Sequence, residues 1–170
     1  MLRIRKATPL DANTCWDIRN AAINKGCAGF YSQDDLRCWT QGELTESFTR
    51  MVGAHFYVAE IFDDATQEGT LVGTIMLDEP YAQVEALFVS PNAMGLGVGK
   101  SLLQFIESKA FNLGIAQLRL ESTLNAVGFY RHCGFGGEGL EEDAVYCSPR
   151  GIALDCRVMY KNLGRLTSRR

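Results

Sequence analysis

Three glycines alternate in the stretch Met94–Ser101, MGLGVGKS, which lies between an apolar run and a run with helical spacing of its apolar residues. A turn of this kind lets the backbone approach an anion and aims the free N–H groups of the next helix at it. The helix dipole adds favourable potential for negative charge, so the chemistry read here is phosphate binding. A P-loop needs a glycine five residues before Gly99-Lys100-Ser101; Met94 stands there, and Gly95 leaves the loop one residue short. No apolar strand ending in Asp follows to hold magnesium. The dinucleotide pattern GxGxxG fails as well, because Gly95, Gly97 and Gly99 run as GxGxG. A turn without any ligand would carry the entropic cost of three glycines for no return.

No metal site is expected: the six cysteines form no CxxC pair, and only His55 and His132 could join them as imidazole ligands. In a chain with no apolar signal region in MLRIRKATPLDA, the cysteines read as free thiols.

The segment VEALFVSPNAMGLGVGKSLLQFIESKA, Val84–Ala110, resembles the acyl-CoA-binding motif of the GNAT superfamily of N-acetyltransferases. Val89 and Pro91 match its strand end, and Gly97 and Gly99 match its two glycines. Met94 departs from the Gln or Arg usual there, which removes one polar contact to the pyrophosphate and leaves the backbone donors. A second segment, LRLESTLNAVGFYRHCGF, Leu118–Phe135, resembles the next strand and helix of the family, with Asn125, Ala126, Phe129, Tyr130, Gly134 and Phe135 in matching places. Two motifs in the right order are far more specific than either alone. Phe30-Tyr31-Ser32 and Trp39 resemble one branch of small bacterial, single-domain members.

The resemblance implies an acyl-CoA-dependent acetyltransferase with acetyl-CoA as co-substrate and an amine acceptor. The cofactor would lie on Leu87, Phe88, Val89, Met94, Gly95, Leu96, Gly97, Val98, Gly99 and Lys100, with Asn125 and Phe129 alongside. In the family the strand Gln83–Val89 splays from its neighbour and bonds the pantetheine amides as an added strand would. Tyr130 would be the general acid that protonates the departing thiolate, a task that suits a phenol with a pKa near ~10. Asn125 would touch the pantetheine arm or organise its turn, the latter matching the liking of Asn for helix N-caps. Glu85 is the candidate base, since transfer needs a neutral amine. Strand alternation puts Gln83, Glu85, Leu87 and Val89 on one face and Ala82, Val84, Ala86 and Phe88 on the other. A rival class is an acyl-CoA sensor without turnover; a kinase or nucleotide hydrolase is more distant.

Positioning these residues requires a particular run of elements. LRIRK, Leu2–Lys6, alternates as a half-exposed strand, and Thr8-Pro9-Leu10-Asp11 opens a helix with a capping-box pattern and Pro at its first position. That helix is expected to run to about Asn24. Short helices follow, one begun by Ser32 and Asp35 and carrying Leu36 and Trp39, the next around Phe48 and Met51 ending at Gly53. Strands are expected at His55–Phe62, Thr70–Leu77 and Gln83–Val89. A long helix carries Leu102, Leu103, Ile106 and Ala110; a strand holds Leu118 and Leu120; a short helix spans Ala126–His132. Two last strands are expected near Phe135 and at Ile152–Tyr160. The fold class is α/β, a mixed central sheet flanked by helices with a strand–helix unit at its centre.

At 170 residues the chain is expected to form one domain over 1–163, with a frayed charged tail at 164–170. A net charge of -3 argues against nucleic acid, and no apolar run reaches bilayer length, so the expectation is a cytoplasmic protein with no membrane partner and an open question of a homodimer. The acidic stretch EGLEED, Glu138–Asp143, reads as a solvated loop.

Overall fold

The computed structural model describes residues 1–148 and 150–164, so the tail expected to fray lies, from residue 165 on, outside the described residues. The chain opens with β1 (Leu2–Lys6) and a 3-10 turn at Pro9–Asp11, in which the Thr8 N–H donates to Asp11 Oδ2 at 2.8 Å. The capping box therefore forms as its residues suggest. Asp11 also holds Arg5 at 2.8 Å, and Arg5 reaches Glu60 at 2.7 Å, which ties the helix entry to the sheet. Next come α1 (Ala12–Gly26), α2 (Gln33–Thr40) and α3 (Glu46–His55). Ser32 caps α2 by accepting from the Asp35 N–H at 3.1 Å.

The α3 helix does not stop at Gly53 as expected. That glycine serves a close approach instead: a Cβ there would stand 2.7 Å from Pro9 Cγ.

The antiparallel strands β2 (Phe56–Phe62), β3 (Gly69–Asp78) and β4 (Gln83–Val89) follow. Then α4 (Val98–Asn112), β5 (Gln117–Thr123) and α5 (Val127–His132) lead into β6 (Glu141–Cys147) and β7 (Ala153–Asn162). The seven strands form one sheet in the order β1-β2-β3-β4-β5-β7-β6. It is mixed, with β4 and β5 parallel.

Two expectations about the C-terminal third are corrected. Phe135 is not in a strand: Gly134 and Gly136 on either side have φ of 92° and 77°, which an extended strand does not accept. Its ring is instead 2% exposed, inserted beneath the sheet. The acidic stretch is not a loop in its second half, where Glu141 to Asp143 begin the edge strand β6. Arginines make this tolerable: Glu141 pairs with Arg131 and Arg157, and Asp143 with Arg157 at 2.7 Å.

Helices cover both faces of the sheet. On one, α4 buries Val98, Leu102, Leu103, Ile106 and Ala110 against Ile75, Leu77, Val84, Leu118 and Leu120. On the other, Ala12 and Cys15 of α1 and Val52 of α3 pack with Val58 and Met76, and Ile23 and Cys27 pack with Trp39 and Leu154. No described helix is long and apolar enough to cross a membrane.

A bulge divides β4 between these faces. Glu85 pairs with Met76 and Phe88 with Thr74, so Ala86 and Leu87 together oppose Ile75. Ala86 takes φ of 53°, an uncommon conformation for a residue with a Cβ. Thr74, 1% exposed, fixes it by donating its hydroxyl to the Ala86 carbonyl at 2.7 Å. Replacing Thr74 with valine keeps the shape and removes that donor. Thr74→Val is expected to cost about 1–2 kcal/mol, read as a lower denaturant midpoint at unchanged slope. An unchanged midpoint would mean that β-pairing alone holds the bulge.

Candidate active site

The strands β4 and β5 pair only at Gln83↔Arg119 and Val84↔Leu120, whereas β4 continues to Val89. Past Val84 they part, and the backbone edge of β4 facing β5 has no strand to bond. A cavity of about 1180 Å³ occupies the gap and reaches both sheet faces.

On the α4 side the wall is the glycine turn. Gly95 and Gly97 have φ of 79° and 80°, with nothing within 4 Å of where a Cβ would be. Backbone handedness, not crowding, therefore requires glycine at both. Gly97 caps α4, so Val98, Gly99 and Lys100 form the first turn, whose N–H groups have no carbonyl a turn earlier. Gly99 is different: a Cβ there would meet Phe129 Cζ at 3.2 Å. The turn and the short helix α5 are thus packed together. Met94 is 47% exposed at the rim.

Twelve residues were expected to line a cofactor cleft. Leu87, Phe88, Val89, Met94, Gly95, Gly97, Val98, Gly99, Lys100, Asn125 and Phe129 all line this cavity, as do Glu85 and Tyr130. Leu96 does not; it is 65% exposed. Asn125 lies in the 3-10 turn Leu124–Ala126 and is not the N-cap of α5, which is Ala126. Its Oδ1 accepts from Cys27 Sγ at 3.3 Å, so it joins that turn to the end of α1. Tyr31 ties the same region, donating to the Asp155 carbonyl at 2.6 Å and accepting from the Leu124 N–H at 3.0 Å.

Tyr130 sits edge-on between Phe129 and Phe135, with ring centroids 5.1 Å and 6.1 Å away. Its hydroxyl has no hydrogen-bond partner among the described residues. Burial, with a smaller contribution from Cys133, pushes the phenol well above its ordinary pKa, so it keeps its proton.

Glu85 does not share a face with Leu87 and Val89, as simple alternation led one to expect. Across an antiparallel pair, partners point the same way. Leu77↔Val84 and Gly73↔Val89 therefore face α4, whereas Met76↔Glu85 and Thr74↔Phe88 face α1. The residue inserted at Ala86 reverses the pattern in mid-strand. Glu85 accepts from Gln83 Nε2 at 3.1 Å, Gln83 accepts from Arg119, and Arg119 pairs with Glu121 at 3.1 Å. Burial, then Asp78 and Glu121, raise the Glu85 carboxyl above the usual carboxylate range against the opposing pull of Arg119.

The α1-side wall was not anticipated from sequence: Trp16, Arg19, Phe48, Tyr146 and Arg150 line the same cavity. The available signal was Trp16 and Arg19 three apart on α1, a ridge of mixed character beside the buried Cys15, Ile18 and Ala22.

This architecture is that of known N-acetyltransferases. A GCN5-related N-acetyltransferase structure from Rhodopseudomonas palustris superposes with a TM-score of 0.79 at 23% identity, over 95% of this chain and 94% of that one. A PaiA N-acetyltransferase from Thermoplasma acidophilum, solved with coenzyme A, gives 0.66 at 24% identity over 95% and 99%. A phosphinothricin acetyltransferase from Sinorhizobium meliloti, solved with acetyl-CoA, gives 0.61 at 21% identity over 99% and 92%. Residues 25–135 match the acetyltransferase (GNAT) family, and the chain belongs to it. A relative from Azospirillum brasilense described as an IAA acetyltransferase is 35% identical over 82 residues, 44% of this chain and 54% of that protein. The chain thus spans about half the length of the curated relative it matches.

The raised Glu85 pKa has a consequence for stability. As pH rises the unfolded chain ionises first, near ~4.3, and from there ionisation favours the unfolded state until the folded carboxyl has also titrated. Glu85→Gln is therefore expected to melt higher than the parent at pH 7–8, with the gap closing below about pH 4. Melting curves across that range check it; a gap that widens in acid would mean the carboxylate is stabilised by Arg119.

Proposed function

We propose that residues 1–163 act as one domain that moves an acetyl group from acetyl-CoA directly to a primary amine, on a small molecule or a peptide. The observation that carries this reading is the gap between β4 and β5, which joins the glycine turn on one sheet face to Glu85 on the other. The pyrophosphate would sit on the first turn of α4, and the pantetheine amides would bond the open edge of β4 at Leu87 and Val89. That brings the thioester to the parting of the strands, within reach of an amine on the α1 side.

In the reaction Glu85 takes a proton from the ammonium, directly or through a water. The freed nitrogen lone pair then attacks the thioester carbonyl carbon. As the tetrahedral adduct collapses, the C–N bond is kept and the C–S bond breaks, the thiolate takes the Tyr130 proton, and the nitrogen gives its remaining surplus proton, through water, to the Tyr130 phenolate, leaving a neutral amide and a free thiol. Desolvation helps the base, whose pKa moves toward neutrality, while the phenol, protonated and neutral at physiological pH, keeps its proton until the leaving thiolate takes it. Met94 favours one other reading, an acyl-CoA sensor without turnover, because it offers the pyrophosphate no polar head.

Acetyl-CoA is expected to raise the melting temperature by mass action while ATP with magnesium does not. Stabilisation by ATP alone would overturn the reading. Tyr130→Phe is expected to bind acetyl-CoA as the parent does and to turn over about 10²-fold more slowly, the low end for a lost general acid. Turnover at saturating acetyl-CoA beside a binding titration decides: full activity would assign the proton to another group, and lost binding would make Tyr130 a packing residue.

A further inference from the structure

The α1-side chamber holds two cations, Arg19 and Arg150, that form no ion pair among the described residues. The Arg19 guanidinium carbon lies 4.9 Å from the Trp16 ring centre, and that of Arg150 lies 5.9 Å from it. Arg19 donates to Asn20 Oδ1 at 2.6 Å and to the Trp39 carbonyl at 3.2 Å; Arg150 donates to the Gln41 carbonyl. Neither has a carboxylate partner among the described residues, whereas Arg5, Arg119, Arg131 and Arg157 all do. A guanidinium offers five N–H donors, so several remain for a ligand. Burial depresses the Arg19 pKa; of its neighbours, Tyr146 opposes that shift and Arg150 adds to it.

The same cavity also holds acidic groups, Glu85 in the field of Asp78 and Glu121, with Arg119 paired to Glu121 beside them. Tyr146 lines the cavity within the field of both sets of groups: burial, Glu121 and Glu85 push its phenol up, and Arg19 pulls it down. The lining is also aromatic: Phe48 meets Trp16 edge-on at 5.1 Å, and Tyr146 lies 6.0 Å from Trp39. Cationic, aromatic and anionic groups thus line one cavity, a lining complementary to a zwitterion with an apolar body.

We propose that the acceptor is an amino-carboxylate with an aromatic or aryl-alkyl body, its carboxylate on Arg19 and Arg150 and its amine toward Glu85. This specifies the acceptor within the acetyl transfer proposed above and rests on that reading. A planar guanidinium grips a carboxylate in bidentate fashion, so the acid group of the ligand should dominate recognition.

Binding of two probes without an amine isolates the carboxylate from the chemistry. The probes are 3-phenylpropanoate and its neutral analogue 3-phenylpropanamide, followed by tryptophan fluorescence, since Trp16 and Trp39 both line the cavity. The acid is expected to bind about tenfold or more tightly than the amide. In Arg19→Gln and Arg150→Gln the two should come within about twofold, while Arg19→Lys keeps part of the preference. Equal binding in the parent, a preference that survives both glutamine variants, or no binding of either probe would overturn the proposal. Acetyl transfer to phenylalanine and to phenethylamine, followed as thiol release, then separates the two levels. Arg19→Gln should raise KM for phenylalanine alone. If neither amine is acetylated while the acid preference stands, the transferase reading fails and the carboxylate site remains. If both are acetylated with equal KM, the acceptor assignment fails and the transferase remains.

Discussion

The arrangement of the site depends on one extra residue in β4. With Ala86 in the left-handed region and its carbonyl held by the buried Thr74 hydroxyl, the strand changes the face of every residue after it. Val84 before the bulge and Leu87 and Val89 after it all pack toward α4, and Glu85 and Phe88 are delivered to α1. Without the extra residue Leu87 and Val89 would fall on the α1 face with Glu85, away from the glycine turn. The bulge also bends β4, and its pairing with β5 stops within two residues of its start. One distortion thus supplies an opening through the sheet and a carboxylate on the far side of it.

A sheet parted in this way leaves strand backbone without partners, and the surrounding structure has to keep the gap from closing. On the α4 side the sheet is filled by aliphatic residues with Leu102, Ile106 and Leu118 at 0% exposure, so β4 and β5 are each anchored to a rigid layer. On the other side Tyr31 bonds the Asp155 carbonyl and the Leu124 N–H, and Asn125 meets Cys27, which fixes the turn after β5 to the end of α1. The walls are held by their own contacts, and the space between them is preformed, as ligand sites usually are.

How much of this can be read from residues alone follows from how local each feature is. The Thr8–Asp11 box, the Ser32 cap and the Gln83–Val89 strand depend on neighbours in sequence, and the chain shows them where the residues place them. The glycine turn is legible for the same reason, since Gly95 and Gly97 mark positive φ. The bulge is not: QVEA alternates and ALFV is apolar throughout, which leaves the faces of Leu87, Phe88 and Val89 open, and the residue that shifts the pattern is an alanine, which carries no signal for φ above zero. The strand β6 was masked by its acids, whose arginine partners Arg131 and Arg157 come from elsewhere in the chain. The α1-side wall needs tertiary structure to exist at all, because Trp16 and Arg150 are joined only by folding.

Desolvation acts on the two titratable groups proposed for the chemistry in the same direction but to different ends. Raising the pKa of a carboxylate brings a weak base toward neutrality, whereas raising that of a phenol, already protonated at neutral pH, makes it a weaker donor that parts with its proton only once the thiolate forms beside it. On the proposed reaction one cavity would therefore prepare a base on one face of the sheet and an acid on the other. The acyl carrier itself would deepen the effect, since filling the gap between β4 and β5 excludes the water that screens both groups. On the proposed reaction, cofactor binding and the tuning of acid and base are then one event, and the order of binding follows: the acyl donor first, to dry the site, and the amine second.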